Sequence, residues 1–294
     1  KLLQGDWDGA VTEIERLIDK IQSRGLKASA TLILSYYYNM CFRSQRALEV
    51  ARESALVFDT LGHRFGLAGA KWQMAGIYYA LGNYQMSRES LDEAMAVMEA
   101  RSKIPTWAPF YGAVLIGLQE LRENRVDLAK KQIASIDSLL LRINKEEPYY
   151  SEMGAWSAAV YRAEVLLADG QIEAAIKLAR ELPGVTIPTL NPLNIFFYNF
   201  PYERDVLARA YVRKGAVDEA ITEYERLITF DPAGDDRRMI NPLFHHRLAV
   251  LYEQQGDTVR AIQQYEKFLD ICGDADPRLM ELTEARSRLA ALGQ

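Results

Sequence analysis

Little in this sequence is suited to chemistry. It holds two cysteines, Cys41 and Cys272, and three histidines, His63, His245 and His246. The cysteines lie far apart along the chain, so no disulfide framework is expected, only reduced and partly buried thiols. His63 has no Cys or carboxylate at metal-ligand spacing. His245 and His246 are adjacent, so on a helix they point about 100° apart and do not readily share an ion. No HExxH, CxxC, P-loop or GxSxG pattern occurs. Gly62, Gly66 and Gly69 superficially suggest a phosphate loop, but no Gly-Lys-Ser/Thr follows them. The expectation is a protein that is not an enzyme and has no cofactor and no metal site.

Other shortages narrow the partner. There is no basic excess: 35 Lys and Arg stand against 40 Asp and Glu, a net charge of −5, with a pI near 5.5. Nucleic acid is therefore not the expected partner, because it selects a basic stripe. Long apolar runs are missing too. The uncharged stretch Ala28 to Cys41 is shorter than the ~20 residues a spanning helix needs. The charge-free stretch 184–202 is broken by Pro188, Pro192 and Pro201. No membrane partner is expected, and a cytoplasmic location is. The chain does not begin with Met. Lys1 to Gln4 reads as the tail of a helix, so a preceding segment is expected to be missing. Ala28 to Cys41, beside this truncated unit, is then a candidate exposed face.

What is present is a helical period that repeats. In Leu207 to Pro232, residues Leu207, Ala208 and Tyr211 fall on one helical face, and Ala220, Tyr224 and Leu227 on another. The small Ala208 and Ala220 let two antiparallel helices approach, and the tyrosines fill the space around them. Gly215 suits the left-handed position after the first helix. Asp218 suits the first turn of the second. Pro232 ends it. This layout resembles the tetratricopeptide repeat (TPR).

The equivalent small residues of the second helices are Ala10, Ala47, Ser87, Ala129, Ala175, Ala220 and Ala261. They are spaced 37 to 46 residues apart, longer than the usual TPR period of about 34. The resemblance implies an all-α, right-handed superhelix of antiparallel helix pairs. The expected units are 1–25 (partial), 26–62, 63–104, 105–147, 148–183, 201–232 and 241–273. A capping helix follows at 276–292. The stretch 184–200, rich in Pro, Asn and aromatics, is expected to be a packed connector or a lid. The segments Leu61 to Gly82 and Asn241 to Ala290 resemble TPR units of bacterial multidomain regulators. That likeness implies a sensory or docking module attached to an effector.

In TPR arrays the first helices line the inside of the superhelix. The resemblance places there Tyr36, Asn39, Trp72, Gln73, Tyr79, Tyr111, Leu115, Leu118, Tyr161, Glu164, Tyr202, Arg209, Arg213, His246 and Arg247. The early members are mostly aromatic and neutral; the later ones gather arginines, whose planar forks suit carboxylates and phosphates. Internal packing of the aromatics, and pairing of the arginines with Asp205, Glu164 or Glu253, is the competing reading. The two-carboxylate clamp of chaperone-binding TPR proteins does not carry over, since its first Lys and Asn fall at Asp205 and Arg209. The expected function is a protein-interaction module that binds a protein or peptide segment, acidic segments among the candidates, in the concave groove. The alternative is a sensor that binds a small ligand inside the superhelix.

Overall fold

The computed structural model describes residues 1, 4–99, 105–182, 204–231, 238–277 and 279–293. The connector 184–200 and Tyr202 lie outside them. Among the described residues there are fourteen α-helices and no strand. In chain order they are α1 (Trp7–Lys20), α2 (Arg24–Met40), α3 (Ser44–Thr60), α4 (Arg64–Ala80), α5 (Tyr84–Glu99), α6 (Trp107–Arg122) and α7 (Val126–Glu146). A 3-10 turn, Pro148–Tyr150, then leads into α8 (Ser151–Ala168), α9 (Ile172–Arg180), α10 (Val206–Lys214), α11 (Val217–Ile228), α12 (Leu243–Gln254), α13 (Thr258–Cys272) and α14 (Met280–Leu292). Each helix packs on the next, and α2 also reaches α4, α6 reaches α8, α8 reaches α10 and α12 reaches α14. The result is an all-α solenoid of helical hairpins.

Small side chains set the helix approach. Ala47, Ser87, Ala129, Ala175, Ala220 and Ala261 have no exposed surface at all. The same holds for Ser35, Ala75, Ala163, Ala208 and Ala249 on the first helices. Ser87 keeps its hydroxyl satisfied, donating to the Ala75 carbonyl at 2.6 Å and accepting from Gln119 Nε2 at 2.8 Å. The tightest case is Gly117 in α6, where a Cβ would stand 2.1 Å from the Tyr161 hydroxyl. The Tyr161 ring lies across this gap and donates to the Ala129 carbonyl of α7 at 2.7 Å.

The hairpin turns use left-handed backbone. Gly215 ends α10 at φ +79°, and Gly82, Asn124, Gly170 and Gly256 do the same in their pairs. The α2–α3 turn instead places Phe42 there, at φ +60°. A bulky side chain in that region costs about 1–3 kcal/mol and persists only where its surroundings impose it.

Those surroundings come from the far end of the chain. The Asp276 amide donates to the Phe42 carbonyl at 2.9 Å. The Gln45 amide donates to Asp276 Oδ2 at 3.1 Å. Arg43 pairs with Asp8 at 2.9 Å and with Asp274 at 3.7 Å. Trp7 and Cys41 belong to the same buried apolar cluster as Ile271, Cys272 and Ala275. The two ends of the array therefore meet.

This meeting bears on two expectations: Cys41 and Cys272 are free thiols, as expected, but more deeply buried, and the expectation of an exposed face is corrected. Cys41 and Cys272, far apart in sequence, share one cluster and are fully buried. Burial pushes the Cys41 thiol up to about 12 and the Cys272 thiol higher still. The stretch Ala28 to Cys41 is not an exposed face: Ala28, Leu34, Ser35, Tyr38 and Asn39 are buried, and Tyr36, Tyr37 and Met40 pack against the C-terminal cluster.

The tight crossing at Gly117 gives a direct test. Gly117→Ala forces the Tyr161 ring out of its place, and Tyr161 is itself fully buried. Overpacking of this kind costs about 1–3 kcal/mol. Urea titration is expected to show that loss, whereas an Ala at the open Gly215 position, which has no atom near its Cβ, loses only the backbone preference of about 1 kcal/mol.

Candidate functional site

The first helices α4, α6, α8 and α10 curve around a common space, and side chains from all four converge on one pocket of about 190 Å³. Helices α4 and α6 contribute Tyr79, Leu118, Leu121 and Arg122. Helices α8 and α10 contribute Glu164, Leu167, Ala168, Arg209 and Arg213. Four successive first helices share a pocket this small only if they line the inside of a bent wall. Residues near their C-terminal ends form its rim.

The pocket is polar on its walls and aliphatic on its floor. Arg122 Nε donates to the Tyr79 hydroxyl at 3.3 Å. Arg213 Nη1 donates to the Leu167 carbonyl at 2.6 Å, and the rest of its guanidinium belongs to an exposed residue. Arg209 is held from both sides, by Glu164 and, through Nε at 2.9 Å, by Asp205. Three guanidiniums thus face one carboxylate, Glu164, across the pocket. Burial raises the Tyr79 phenol above its usual range, with Arg122 opposing, so Tyr79 is a neutral donor at any ordinary pH.

Asp205 is the anchor behind this wall. It has no exposed surface and precedes α10 as its N-cap residue. It accepts from Arg209, from Arg247 and from the Tyr224 hydroxyl at 2.8 Å. Burial alone opposes its charge. The Arg247 and Arg209 guanidiniums and the bonds from Arg209 and Tyr224 outweigh it and hold the carboxyl well below the usual carboxylate range. Arg209 is correspondingly raised: burial opposes its charge, and Glu164 and Asp205 outweigh burial.

The sequence-derived set divides accordingly. Tyr79, Glu164, Arg209 and Arg213 meet in the pocket, with Leu118 on its floor. Arg247 stands behind them on Asp205 rather than in the pocket. Tyr36 packs at the junction of the chain's two ends. The structure places the others in the core, because large or polar residues on a first helix also fill the seams to its neighbours. Asn39 is buried and accepts from Ser44 Oγ at 3.0 Å. Trp72 meets Trp107 edge-on, with ring centres 6.1 Å apart. Gln73, Tyr111 and Leu115 are buried, and Tyr161 spans α6 to α7 as described. His246 is buried edge-on between Tyr265 and Phe268, and burial pushes its imidazole below the usual range, with Glu284 opposing. Tyr202 falls outside the described residues. Arg122 was not anticipated. Its signal was a cation in the last turn of a first helix, one turn beyond Leu118.

Among the described residues no group of His, Cys, Asp and Glu could hold a metal ion. No helix of these residues is long and apolar enough to cross a membrane.

Asp205→Asn is expected to destabilise the fold by about 3 kcal/mol, since it leaves two partly buried guanidiniums short of the fully buried carboxylate that they pair with. The sign of the pH effect follows from the lowered pKa. The Asp205 contribution is complete above the unfolded-state value of about 3.9 and is lost as pH falls through the folded-state value. Urea titrations between pH 7 and pH 3 are expected to show a steeper acid-side loss in the parent than in Asp205→Asn. Equal slopes would contradict the role assigned to this carboxylate.

None of the curated proteins matches the chain. Residues 206–233 and residues 245–279 each match a model of the tetratricopeptide repeat, and these two stretches are the hairpins α10–α11 and α12–α13 with their flanks. These two hairpins are thus similar to tetratricopeptide repeats, and they are set in an all-α solenoid of like hairpins.

Proposed function

We propose that the whole chain acts as one solenoid, a non-catalytic interaction module that holds a segment of a partner protein against its concave wall, and that the pocket takes an acidic side chain of that segment. Tetratricopeptide repeats generally mediate protein–protein contacts. The observation that carries the finer reading is the pocket itself: Arg122, Arg209 and Arg213 around a floor of Leu118, Leu121 and Leu167. A Glu or Asp side chain would lay its methylenes on the leucines and its carboxylate among the guanidiniums. Each charge-assisted hydrogen bond contributes about 1.5–3 kcal/mol. Arg209 is fixed in advance by Asp205 and Glu164, so little conformational freedom is lost there on binding. The partner's remaining contacts would run along the first helices. The net charge of −5 does not favour acidic partners at long range, but at physiological salt charges beyond ~8 Å are largely screened. The likeness to bacterial multidomain regulators supports a cytoplasmic docking role beside an effector.

One observation favours a second reading, a sensor for a small ligand. The two ends of the array meet, as a closed superhelix enclosing a ligand requires. The pocket of about 190 Å³ is small beside the ~300–1,000 Å³ usual for small-molecule sites, so that ligand would be a compact carboxylate.

Fluorescence anisotropy with a panel of acidic peptides separates these readings from each other and from neither. Peptide binding is expected to fall at least tenfold, about 1.4 kcal/mol, both when the peptide Glu is replaced by Gln and when the protein carries Arg213→Glu. The remote control Arg16→Glu, at a side chain 71% exposed, is expected to change nothing. Binding that ignores Arg213→Glu would sink the pocket assignment. Thermal stabilisation by small carboxylates, without any peptide binding, would favour the sensor.

A further inference from the structure

The edge of the solenoid where one hairpin hands over to the next carries large apolar side chains in water. Short connections, 21–23 and 61–63, join α1 to α2 and α3 to α4, and α2 packs on α1, α3 and α4. The last turns of α1 and α3 and the first turns of α2 and α4 therefore stand together on this edge. A Cβ at Gly25 would lie 3.7 Å from Leu61 Cδ1, which puts the start of α2 against the end of α3. Leu17, Leu26, Leu61 and Phe65 are all exposed here, Leu26 to 65% and Leu61 and Phe65 to 46% each. Gly62, between the last two, turns through left-handed backbone with no atom within 4 Å of its Cβ position. The tip between Leu61 and Phe65 is thus bare.

Charge on this edge is opposite in sign to that of the chain. Residues 17–27 and 57–67 hold four cations, Lys20, Arg24, Lys27 and Arg64, against two carboxylates, Asp19 and Asp59, whereas the whole chain stands at −5. All six charged residues are exposed. Cations and apolar side chains are interleaved, as Arg24, Leu26 and Lys27 on α2 and as Leu61, Arg64 and Phe65 at the α3–α4 turn. His63 is already engaged, its Nδ1 accepting from the Gly66 amide at 2.9 Å.

Separate apolar side chains set among cations suit a surface that yields. A protein partner must match their shape to bury them. The headgroup layer of a bilayer takes Leu and Phe side chains between its lipids, while Lys and Arg rest at the level of the phosphates. Each basic residue at an anionic surface adds attraction over about a Debye length. No helix of the described residues is long and apolar enough to cross a bilayer, so the contact is peripheral. Long apolar runs, whose absence led to the expectation of no membrane partner, are not needed for it.

We propose that this edge docks on an anionic bilayer surface, with Leu26, Leu61 and Phe65 in the headgroup layer and Arg24 and Lys27 among its phosphates. The pocket lies near the C-terminal ends of the first helices, toward the other edge of the array, so docking leaves it facing away from the bilayer. Lipid contact and the acidic-segment pocket use different surfaces, and neither needs the other.

Co-sedimentation with vesicles tests this, comparing phosphatidylcholine alone with an equal mixture of phosphatidylcholine and phosphatidylserine. The parent is expected to bind the mixed vesicles. Its apparent partition is expected to fall by roughly tenfold or more on phosphatidylcholine alone, in Leu61→Ser/Phe65→Ser and in Arg24→Glu/Lys27→Glu. Far-UV circular dichroism checks both variants. If the apolar variant loses helical signal, the charge variant decides alone, since acidic residues suit the first turn of α2. Val259→Ser, at an exposed side chain on the other edge, and Arg213→Glu in the pocket are expected to change nothing, so failure of the pocket reading leaves this result standing. Absence of binding to the mixed vesicles overturns the proposal, and so does binding that ignores either double variant. A dimer in sedimentation velocity that Leu61→Ser/Phe65→Ser dissolves would give the edge to a second copy of the chain and overturns it as well.

Discussion

The array depends on how closely its helices approach one another. Where Ala129, Ala163, Ala208, Ala220 and Ala261 are fully buried, no side chain keeps the backbones apart. The large residues are displaced to the flanks of each crossing, where Tyr161, Tyr224 and Tyr265 are buried whole. Close approach on one side and bulk on the other bends the stack. The bend brings α4, α6, α8 and α10 to a single pocket and carries α1 around to α13. Pocket and junction are thus two results of one packing constraint, and Gly117 under the Tyr161 ring is where that constraint is tightest.

Charge then fixes what packing leaves free. Asp205 is fully buried, and a lone carboxylate there would be costly. Arg209, Arg247 and Tyr224 neutralise it and are positioned by it in return. One consequence bears on the proposed function. Arg209 reaches the pocket as a fixed group, with Glu164 on its other side, whereas Arg213 is exposed with a single carbonyl to steady it. A rigid guanidinium beside an adaptable one is suited to gripping a carboxylate that arrives on a longer chain.

The fold was legible in the sequence because its determinants are local. Small residues at a steady interval and a Gly or Asn after each first helix mark crossings and turns, and Gly215, Gly256 and Asn124 stand in left-handed backbone. The pocket was half legible. A first helix divides its apolar arc between its neighbours and the concave side, and periodicity does not say where one ends. Trp72, Tyr111 and Tyr161 were therefore read as facing the groove, while their size draws them into the seams between helices. Arg209 pairs as the charges of Asp205 and Glu164 suggest, but Arg122 carries no local mark beyond its place in a last turn. The closure of the ends was not legible at all. It joins Gln45 to Asp276 across 231 positions, and no periodic pattern reports a contact of that separation. Phe42, in a turn position that the other pairs fill with Gly or Asn, was its one trace.

The central claim is that the concave pocket recognises a carboxylate through specific guanidiniums. The most direct measurement is an NMR titration that follows arginine Nε–H signals while an acidic peptide is added. Arg122 and Arg213 are expected to shift together and saturably, with Arg209 following. Arg88 and Arg125, engaged with Glu120 and Glu123 on the α5–α7 side, are expected to stay still. Shifts confined to Arg88 and Arg125, or spread evenly over every exposed arginine, would contradict the account.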